Sequence, residues 1–271
     1  MTFPALISHI KNALPSTPLR RLVTSLLMRL PPTSPSPSTA AAVNLILLNI
    51  PSTGSCVLSS THIVLTKRPL SLHSHAGQIC LPGGKFDAAD TMQTGNTLGL
   101  PAVHGRFVHT ALRETAEELG SPAILNWDDL QILGLTAPVP SITKVPVYTL
   151  VTATSLPTTT RDNVIAALSS TANSDEVQQV GLLSLQDLLT SLGRTKTMAS
   201  HASSRRKGKS SGMSLGKCIK STVMRAVGRV VTTPSFKTEL GECWGLTGYI
   251  LYGFGVKILK PYAKGMPRKE I

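Results

Sequence analysis

Apolar residues in this chain come in short runs separated by turn-forming clusters. AAVNLILLNI (41–50) and SCVLSSTHIVLTKR (55–68), with PSTG between them, predict two strands of a hairpin. LQILGLTAPVPS (130–141) and VPVYTLVTAT (145–154) predict two more, turning at a Pro/Ser cluster. HTALRETAEELG (109–120) has helical spacing and ends in Gly120, a natural residue just past a helix C-terminus. SLQDLLTSL (184–192) predicts a short helix and ECWGLTGYILYGFGVKIL (242–259) a closing one. Strands mixed with helices place the chain in the α/β class.

Other stretches interrupt this pattern. PPTSPSPSTA (31–40) is a Pro/Ser linker, so the main domain is expected over 41–260, with a basic extension before it and a basic tail over 261–271. Residues 91–108 are polar and Gly-containing, without clear periodicity. Residues 194–230 are rich in Lys and Arg and hold no acid. Both read as inserted surface loops. No internal repeat is present.

Charge sharpens the picture. The chain has 27 Lys/Arg against 14 Asp/Glu, a formal net charge of +13, yet nothing before Asp87 is acidic. Between residues 87 and 187 eleven acids face four bases, net −7, leaving +20 for the rest. An acidic centre in a basic frame suits cations held at the centre and a polyanion gathered around them. The basic insertion lacks the aromatic interleaving of a nucleic-acid surface, so no specific nucleic-acid partner is expected and its charge reads as accessory.

The four cysteines, Cys56, Cys80, Cys218 and Cys243, form no C-x-x-C pair, which argues against a zinc site or a disulfide framework and for reduced thiols. No apolar run reaches the roughly 18 residues of a membrane span. The first thirty residues carry Lys11, Arg20, Arg21 and Arg29 with no acid. That pattern fits either a mitochondrial leader or an ordinary first helix with a basic face. The ending KEI is not of the peroxisomal S-K-L type.

The densest chemistry lies on the helix over 110–119. At 100° per residue Glu114, Glu117 and Glu118 share one side, while Leu112, Thr115, Ala116 and Leu119 take the other. Like charges at i, i+4 cost about 0.2–0.5 kcal/mol per pair unless neutralised. A hard divalent cation on carboxylate oxygens neutralises them; a solvated acidic face is the plainer alternative. Upstream, PGGKFD places two glycines where a strand turns toward the helix, and a glycine carbonyl can approach a metal closely. Arg113 stands beside the first glutamate and can orient a carboxylate through paired hydrogen bonds.

GGKFDAAD (83–90) followed by RETAEELG (113–120) resembles the Nudix box, Gly-x5-Glu-x7-Arg-Glu-x-x-Glu-Glu-x-Gly. Counted from Gly84, the first Glu position is held by Asp90, and residues 91–112 stand where the pattern spaces seven. Ser121 occupies a position that is usually apolar. VLTKRPLSLHSHAGQICLPGG (64–84) resembles the signature that coenzyme A diphosphatases carry before the box, with Leu65, Thr66, Arg68, Gly77, Pro82, Gly83 and Gly84 matching. Pro69, His73 and Leu81 replace a small residue, an arginine and a phenylalanine. SDEVQQVGLLSLQDLL (174–189) and TPSF…CWGLTGYIL (233–251) are similar to later landmarks of the same group.

The resemblance implies an αβα sandwich with a mixed sheet. It also implies Mg²⁺- or Mn²⁺-dependent hydrolysis of the pyrophosphate of coenzyme A, giving 3′,5′-ADP and 4′-phosphopantetheine. By position in the box, Glu114, Glu117 and Glu118 are the implied metal ligands, Gly84 the carbonyl donor and Arg113 the orienting group. Glu117, Glu118 and Glu176 stay open as the general base. His75, His104 and His109 are further candidates, although a loop histidine is ordinarily just solvated. Lys67, Arg68, His73, Gly77 and Lys85 are the implied contacts to the anionic substrate. Hydrolysis of ADP-ribose, NADH or a nucleoside triphosphate needs only the box, and a binding module without catalysis is a reading from another class. Relatives add a peroxisomal location to the mitochondrial and cytoplasmic ones; the oligomeric state is not encoded.

Overall fold

Along Ala41–Asn49 the side chains alternate between two buried faces, and this strand, β1, is the axis of the fold. Ala42, Ile46 and Leu48 point to one side, where they join two apolar clusters, and Leu45 and Leu47 to the other, where they join a third. A strand buried on both faces has to lie inside a sheet covered by two helical layers. The computed structural model describes residues 3–13, 40–51, 54–88, 90, 102–125, 129–156, 159–193, 195–198 and 231–265.

The elements, in chain order, are α1 (Phe3–Ala13), β1, a one-turn helix α2 (Val57–Ser60), β2 (Thr61–Lys67), β3 (Ile79–Cys80), β4 (Gly83–Lys85) and α3 (Ala102–Leu119). There follow β5 (Gln131–Leu135), β6 (Val139–Pro140), β7 (Pro146–Ser155), α4 (Arg161–Thr171), β8 (Gln179–Ser184) and α5 (Leu185–Thr190). Two small ladders, β9 (Thr195–Met198) with β10 (Val231–Pro234) and β11 (Phe236–Thr238) with β12 (Gly241–Cys243), precede α6 (Gly245–Phe254). That helix passes through a π-helical turn (Gly255–Leu259) into α7 (Lys260–Lys264).

Eight strands form one mixed sheet with β3-β2-β1-β7-β5 as its spine. β1 runs parallel to β7 over its whole length, from Ala41↔Val147 to Asn49↔Ser155. Its other edge is shared: the first residues pair with β4 (Ala42↔Gly84) and the last with β2 (Leu47↔Ile63), both antiparallel. β8 extends the sheet beyond β2, and Asn44 N donates to Pro82 O at 2.8 Å, fastening the segment that leads into β4. On one face lie α3 and α4, with Val108, Ala111, Leu119, Val164 and Leu168 in their clusters. On the other lie α1, α5, α6 and the π turn, with Leu6, Ile10, Leu188, Leu251, Phe254 and Ile258. The result is the αβα sandwich with a mixed sheet that the sequence motifs imply.

Four segments differ from the sequence reading. Within the expected loop over 91–108, residues 102–108 belong to α3; Phe107 is buried and stacks on Tyr148 at 4.0 Å, which draws the helix upstream. Gly105 and the surrounding polar residues mask this in the sequence. SCVLSS is not all strand, because Val57–Ser60 closes a helical turn capped by bonds from Ser59 N and Ser60 N to Cys56 O. The closing helix continues past the expected boundary at residue 260, since Tyr262 and Ala263 are buried. α4 has no counterpart in the sequence reading; its Ser, Thr and Asn residues hide a stripe in which only Val164 and Leu168 are buried.

The first segment, open between a leader and an ordinary helix, packs as a helix with Leu6 and Ile10 fully buried. His9 Nε2 lies 3.0 Å from Ile258 O and ties it to the π turn. Most of the second insertion, 199–230, lies outside the described residues, as do 1–2, 14–39 and 266–271.

Candidate active site

α3 brings Arg113, Glu114, Glu117 and Glu118 to one side, as their spacing demands, and the rest of the site assembles around them. Asp90, twenty-three positions before Arg113, lies against the same helix and is 3% exposed. Arg113 Nε reaches Asp90 Oδ1 at 2.7 Å and Nη2 reaches Oδ2 at 3.1 Å, a paired guanidinium–carboxylate contact. Thr110 Oγ1 donates to Asp90 Oδ2 at 2.7 Å, Asp87 N donates at 2.9 Å, and His109 Nδ1 stands 3.0 Å from Oδ1. The long insertion between the two halves of the motif therefore leaves their junction intact.

Burial alone raises the Asp90 pKa, but the hydrogen bonds from Arg113, Asp87 N, Thr110 and His109 outweigh it and hold the carboxyl well below the usual carboxylate range. The same contact to Asp90, with Glu114 and Glu117 adding to it, raises the pKa of Arg113. Arg113 also bonds Glu117 Oε2 at 2.8 Å, Glu114 Oε1 at 3.0 Å and Lys85 O at 3.3 Å. One guanidinium thus fixes the upstream acid, two of the three helix glutamates and the strand β4.

Gly84 explains why that strand carries glycine. A Cβ there would fall on the Glu114 carboxylate, so only a residue without a side chain lets β4 run against it. Glu114 itself is raised in pKa by burial, with Arg113 opposing the shift.

The far end of the helix is built differently. Glu118 is 2% exposed, its Oε1 lies 4.0 Å from Arg68 Nη1, and its Oε2 is buried with no hydrogen-bond partner. Burial, opposed by Arg68 and reinforced by Glu176 and Glu114, pushes its pKa up to about 8. Arg68 Nε is likewise buried and unpartnered. Cys80 is next to this pair; burial, with the Glu118 charge adding to it, pushes its thiol up to about 11, so it is not a thiolate nucleophile.

Backbone bonds carry Glu176 to the same place. Asn173 N donates to Glu118 O at 2.9 Å, Glu176 N to Asn173 O at 3.0 Å, and Gln178 N to Lys67 O at 2.7 Å. Gly120, at φ +68°, lets the chain leave α3 beneath Thr171, whose Oγ1 donates to Leu119 O at 2.7 Å. The turn bearing Glu176 is thereby tied both to the end of the box helix and to the strand leading to Arg68.

Of the expected substrate contacts, Lys67 ends β2, Arg68 follows it with Nη1 4.0 Å from Glu118 Oε1, and Lys85 ends β4. Gly77, at φ +66°, turns the β2–β3 connection, and its N–H donates to Arg68 O at 3.1 Å. His73 is exposed in that connection. His75 pairs with Gln78 Oε1 at 2.9 Å. His109 is not a solvated loop residue but a helical one bound to Asp90, and the side chain of His104 lies outside the described residues. Thr110 escaped the sequence reading; its place three residues before Arg113, on the same helical side, is the signal that locates it.

Among the described residues no three acidic, histidine or cysteine side chains form a ready-made metal cluster. Arg113 holds Glu117, whose side chain is 54% exposed, in an ion pair at 2.8 Å. The remaining donors nevertheless fit a hard divalent ion. They are carboxylate and carbonyl oxygens, and the unpartnered Glu118 oxygen beside Glu114 and Glu176 is a buried group that a cation would satisfy.

No family model matches the chain. Over 136 residues it is 31% identical to Nudix hydrolase 3 of Caenorhabditis elegans, a match covering 49% of this chain and 45% of that protein. Over 80 residues it is 32% identical to the uncharacterized Nudix hydrolase NudL of Pectobacterium atrosepticum, covering 30% of this chain and 32% of that one. The matched stretches thus span less than half the length of these curated relatives. A MutT/nudix family protein from Enterococcus faecalis aligns in three dimensions at a TM-score of 0.38 and 12% identity, over 100% of this chain and 78% of its own, a likeness that carries no argument by itself. The similarities to curated proteins support the Nudix hydrolase family.

Proposed function

We propose that this chain, a Nudix-type hydrolase by those similarities, cleaves the pyrophosphate bond of coenzyme A or its acyl derivatives to 3′,5′-ADP and (acyl-)4′-phosphopantetheine. The observation that supports it best is the arrangement around α3: Asp90 rejoined to Arg113 across the insertion, with Glu118 keeping a free buried oxygen beside Arg68. A site meant only as scaffold has no use for that oxygen, since an unsatisfied buried acceptor costs about 1–3 kcal/mol.

In this reading Glu114, Glu117 and Glu118, with the Gly84 carbonyl, would hold a divalent cation. Mg²⁺ or Mn²⁺ bound there supplies charge neutralisation for the phosphates and a more acidic water. Arg113 fixes the orientation of Glu114 and Glu117 through a hydrogen bond to each. Glu117, Glu118 and Glu176 are the candidates to accept a proton from attacking water. Lys67, Arg68 and Lys85 offer positive charge to the phosphates, including the 3′-phosphate that distinguishes coenzyme A.

His73 favours a second reading. It stands where the coenzyme A signature has arginine, and an imidazole gives a polyanion less than a guanidinium. A site with weaker recognition of the extra phosphate cuts ADP-ribose or NADH instead. Product analysis with coenzyme A, ADP-ribose and NADH, each with Mg²⁺ or Mn²⁺, separates the two. Release of 3′,5′-ADP from coenzyme A, faster than any cleavage of the others, is the expected result. Faster cleavage of ADP-ribose or NADH assigns the site to that second class.

A further inference from the structure

The face of β1 under the box helix reads Ala42, Asn44, Ile46, Leu48, one amide in an apolar row. Asn44 is fully buried. Its Oδ1 accepts from Thr152 Oγ1 at 2.9 Å, and its Nδ2 is buried with no hydrogen-bond partner. A buried N–H left unpaired is costly, and a leucine of similar size would avoid the cost. The chemistry described above makes no use of this residue.

Three observations set Asn44 against Glu118, whose Oε2 is a buried acceptor without a partner. First, α3 runs alongside β1 in the same direction: Phe107, Val108 and Ala111 pack with Ala40 and Ala42, and Leu119 packs with Ile46 and Leu48. Asn44 therefore lies under the stretch between Ala111 and Leu119. Second, Gly84 stands opposite Ala42 and against the Glu114 carboxylate. Two residues of strand advance about 6.6 Å and four of helix about 6 Å, so the step from Ala42 to Asn44 matches the step from Glu114 to Glu118. Third, one peptide group joins the two residues: Asn44 N donates to Pro82 O at 2.8 Å, and the backbone of Gly83 hydrogen-bonds the Glu118 carboxylate. The amide is also turned the right way. Thr152 lies on β7, one neighbour of β1, so with Oδ1 held there Nδ2 is turned toward the other neighbour, β4, the side on which Glu118 sits.

We infer that Asn44 is a positioning residue for Glu118: Nδ2 donates to Oε2 when the carboxylate takes up its ligating orientation, leaving Oε1 to face Arg68 and the cation. The inference rests on the reading of Glu118 as a cation ligand. A donor behind a ligating carboxylate fixes its direction, and loss of such a partner costs about 10–100-fold in metal affinity. A carbonyl or a methyl group in the place of Nδ2 gives Oε2 nothing to accept from. Burial suits the role, because Asn44 acts on a neighbouring side chain and needs no contact with solvent or substrate.

The test is calorimetric titration of Mn²⁺ into the full chain, beside thermal unfolding of the metal-free protein. Asn44→Leu combined with Thr152→Val removes both partners of one buried hydrogen bond together, so its Tm is expected to hold or rise. Its Mn²⁺ affinity is expected to fall about 10–100-fold, with Thr152→Val alone close to the native protein. Asn44→Ala, which shortens the side chain without adding bulk, is expected to weaken Mn²⁺ by the same factor. Undiminished affinity in either Asn44 variant overturns the inference, and the reading of Glu118 stands if Glu118→Gln still loses Mn²⁺. Weakened affinity accompanied by loss of the cooperative melt in both Asn44 variants gives the residue a structural role and likewise overturns it. No Mn²⁺ binding by the native protein, or equal binding by Glu118→Gln, overturns the inference and the reading together.

Discussion

Two successive turns near the C-terminal end of the box helix have the same charged residue types but opposite states of satisfaction. At Arg113 every strong group is paired: Asp90 takes bonds from Arg113, Thr110 and Asp87 N, and Arg113 serves Asp90, Glu114, Glu117 and Lys85 O. One turn further, Glu118 and Arg68 approach only to 4.0 Å, and each keeps a buried atom without a partner. The first end is complete without a ligand and sets geometry. The second is incomplete by itself, and in the proposed reading a cation and an anionic substrate would complete it.

The sharpest way to break this contrast is at the incomplete end. Under the proposed activity, Glu118→Gln is expected to lower kcat/KM for coenzyme A by about 10²–10⁴ while the protein still folds, as loss of a proton-transferring or charge-holding group does. Steady-state kinetics beside a circular-dichroism melt checks it; a variant with tenfold loss or less would move the working oxygen elsewhere.

At the complete end the larger effect is on folding. Arg113→Ala leaves Asp90 buried without its guanidinium and is expected to cost about 3–5 kcal/mol, read from urea unfolding. Activity falls with it, because Glu114 and Glu117 lose their orientation.

pH separates the two ends in opposite directions. The folded pKa of Glu118 is raised to about 8 from an ordinary 4.5, so the native state holds its proton more tightly than the unfolded chain. Stability from this group is full below pH 4.5 and is lost as pH rises through about 8, on the order of a few kcal/mol in the absence of metal. Asp90 is the reverse: its lowered pKa contributes stability above the ordinary 3.8, lost as pH falls below it. Melting temperatures in EDTA are expected to decline from pH 5 to pH 8 in the native protein, and to decline less in Glu118→Gln.

A finer probe is Thr110→Val. It removes one bond to Asp90 while keeping shape, with an expected cost of about 1–2 kcal/mol and a small change in kcat. An effect as large as that of Arg113→Ala would show that the clamp rests on Thr110 instead.

Much of this was readable in the residues. The apolar runs over 41–50, 130–141 and 145–154 became β1, β5 and β7, and the spacing of Glu114, Glu117 and Glu118 placed them on one helical side. What spacing cannot convey is competition between neighbours. It suggests three equivalent glutamates, whereas Arg113 takes Glu117 and burial isolates Glu118. Nor does it reveal that Asp90 returns to Arg113 across the insertion, because that contact depends on the packing of Phe107 and Val108, in a stretch whose Gly105 and polar residues conceal a helix. α4 stayed hidden for a related reason: its fixation comes from long-range burial of Val164 and Leu168 and from the Thr160 cap on Asn163 N, not from a strong local stripe.

Titration of Mn²⁺ into the native protein, Glu117→Gln and Glu118→Gln by isothermal calorimetry tests the contrast most directly. The account predicts that Glu118→Gln loses measurable binding, whereas Glu117→Gln, whose side chain is engaged with Arg113, retains it within about tenfold. Loss of binding in Glu117→Gln with undiminished binding in Glu118→Gln would contradict it.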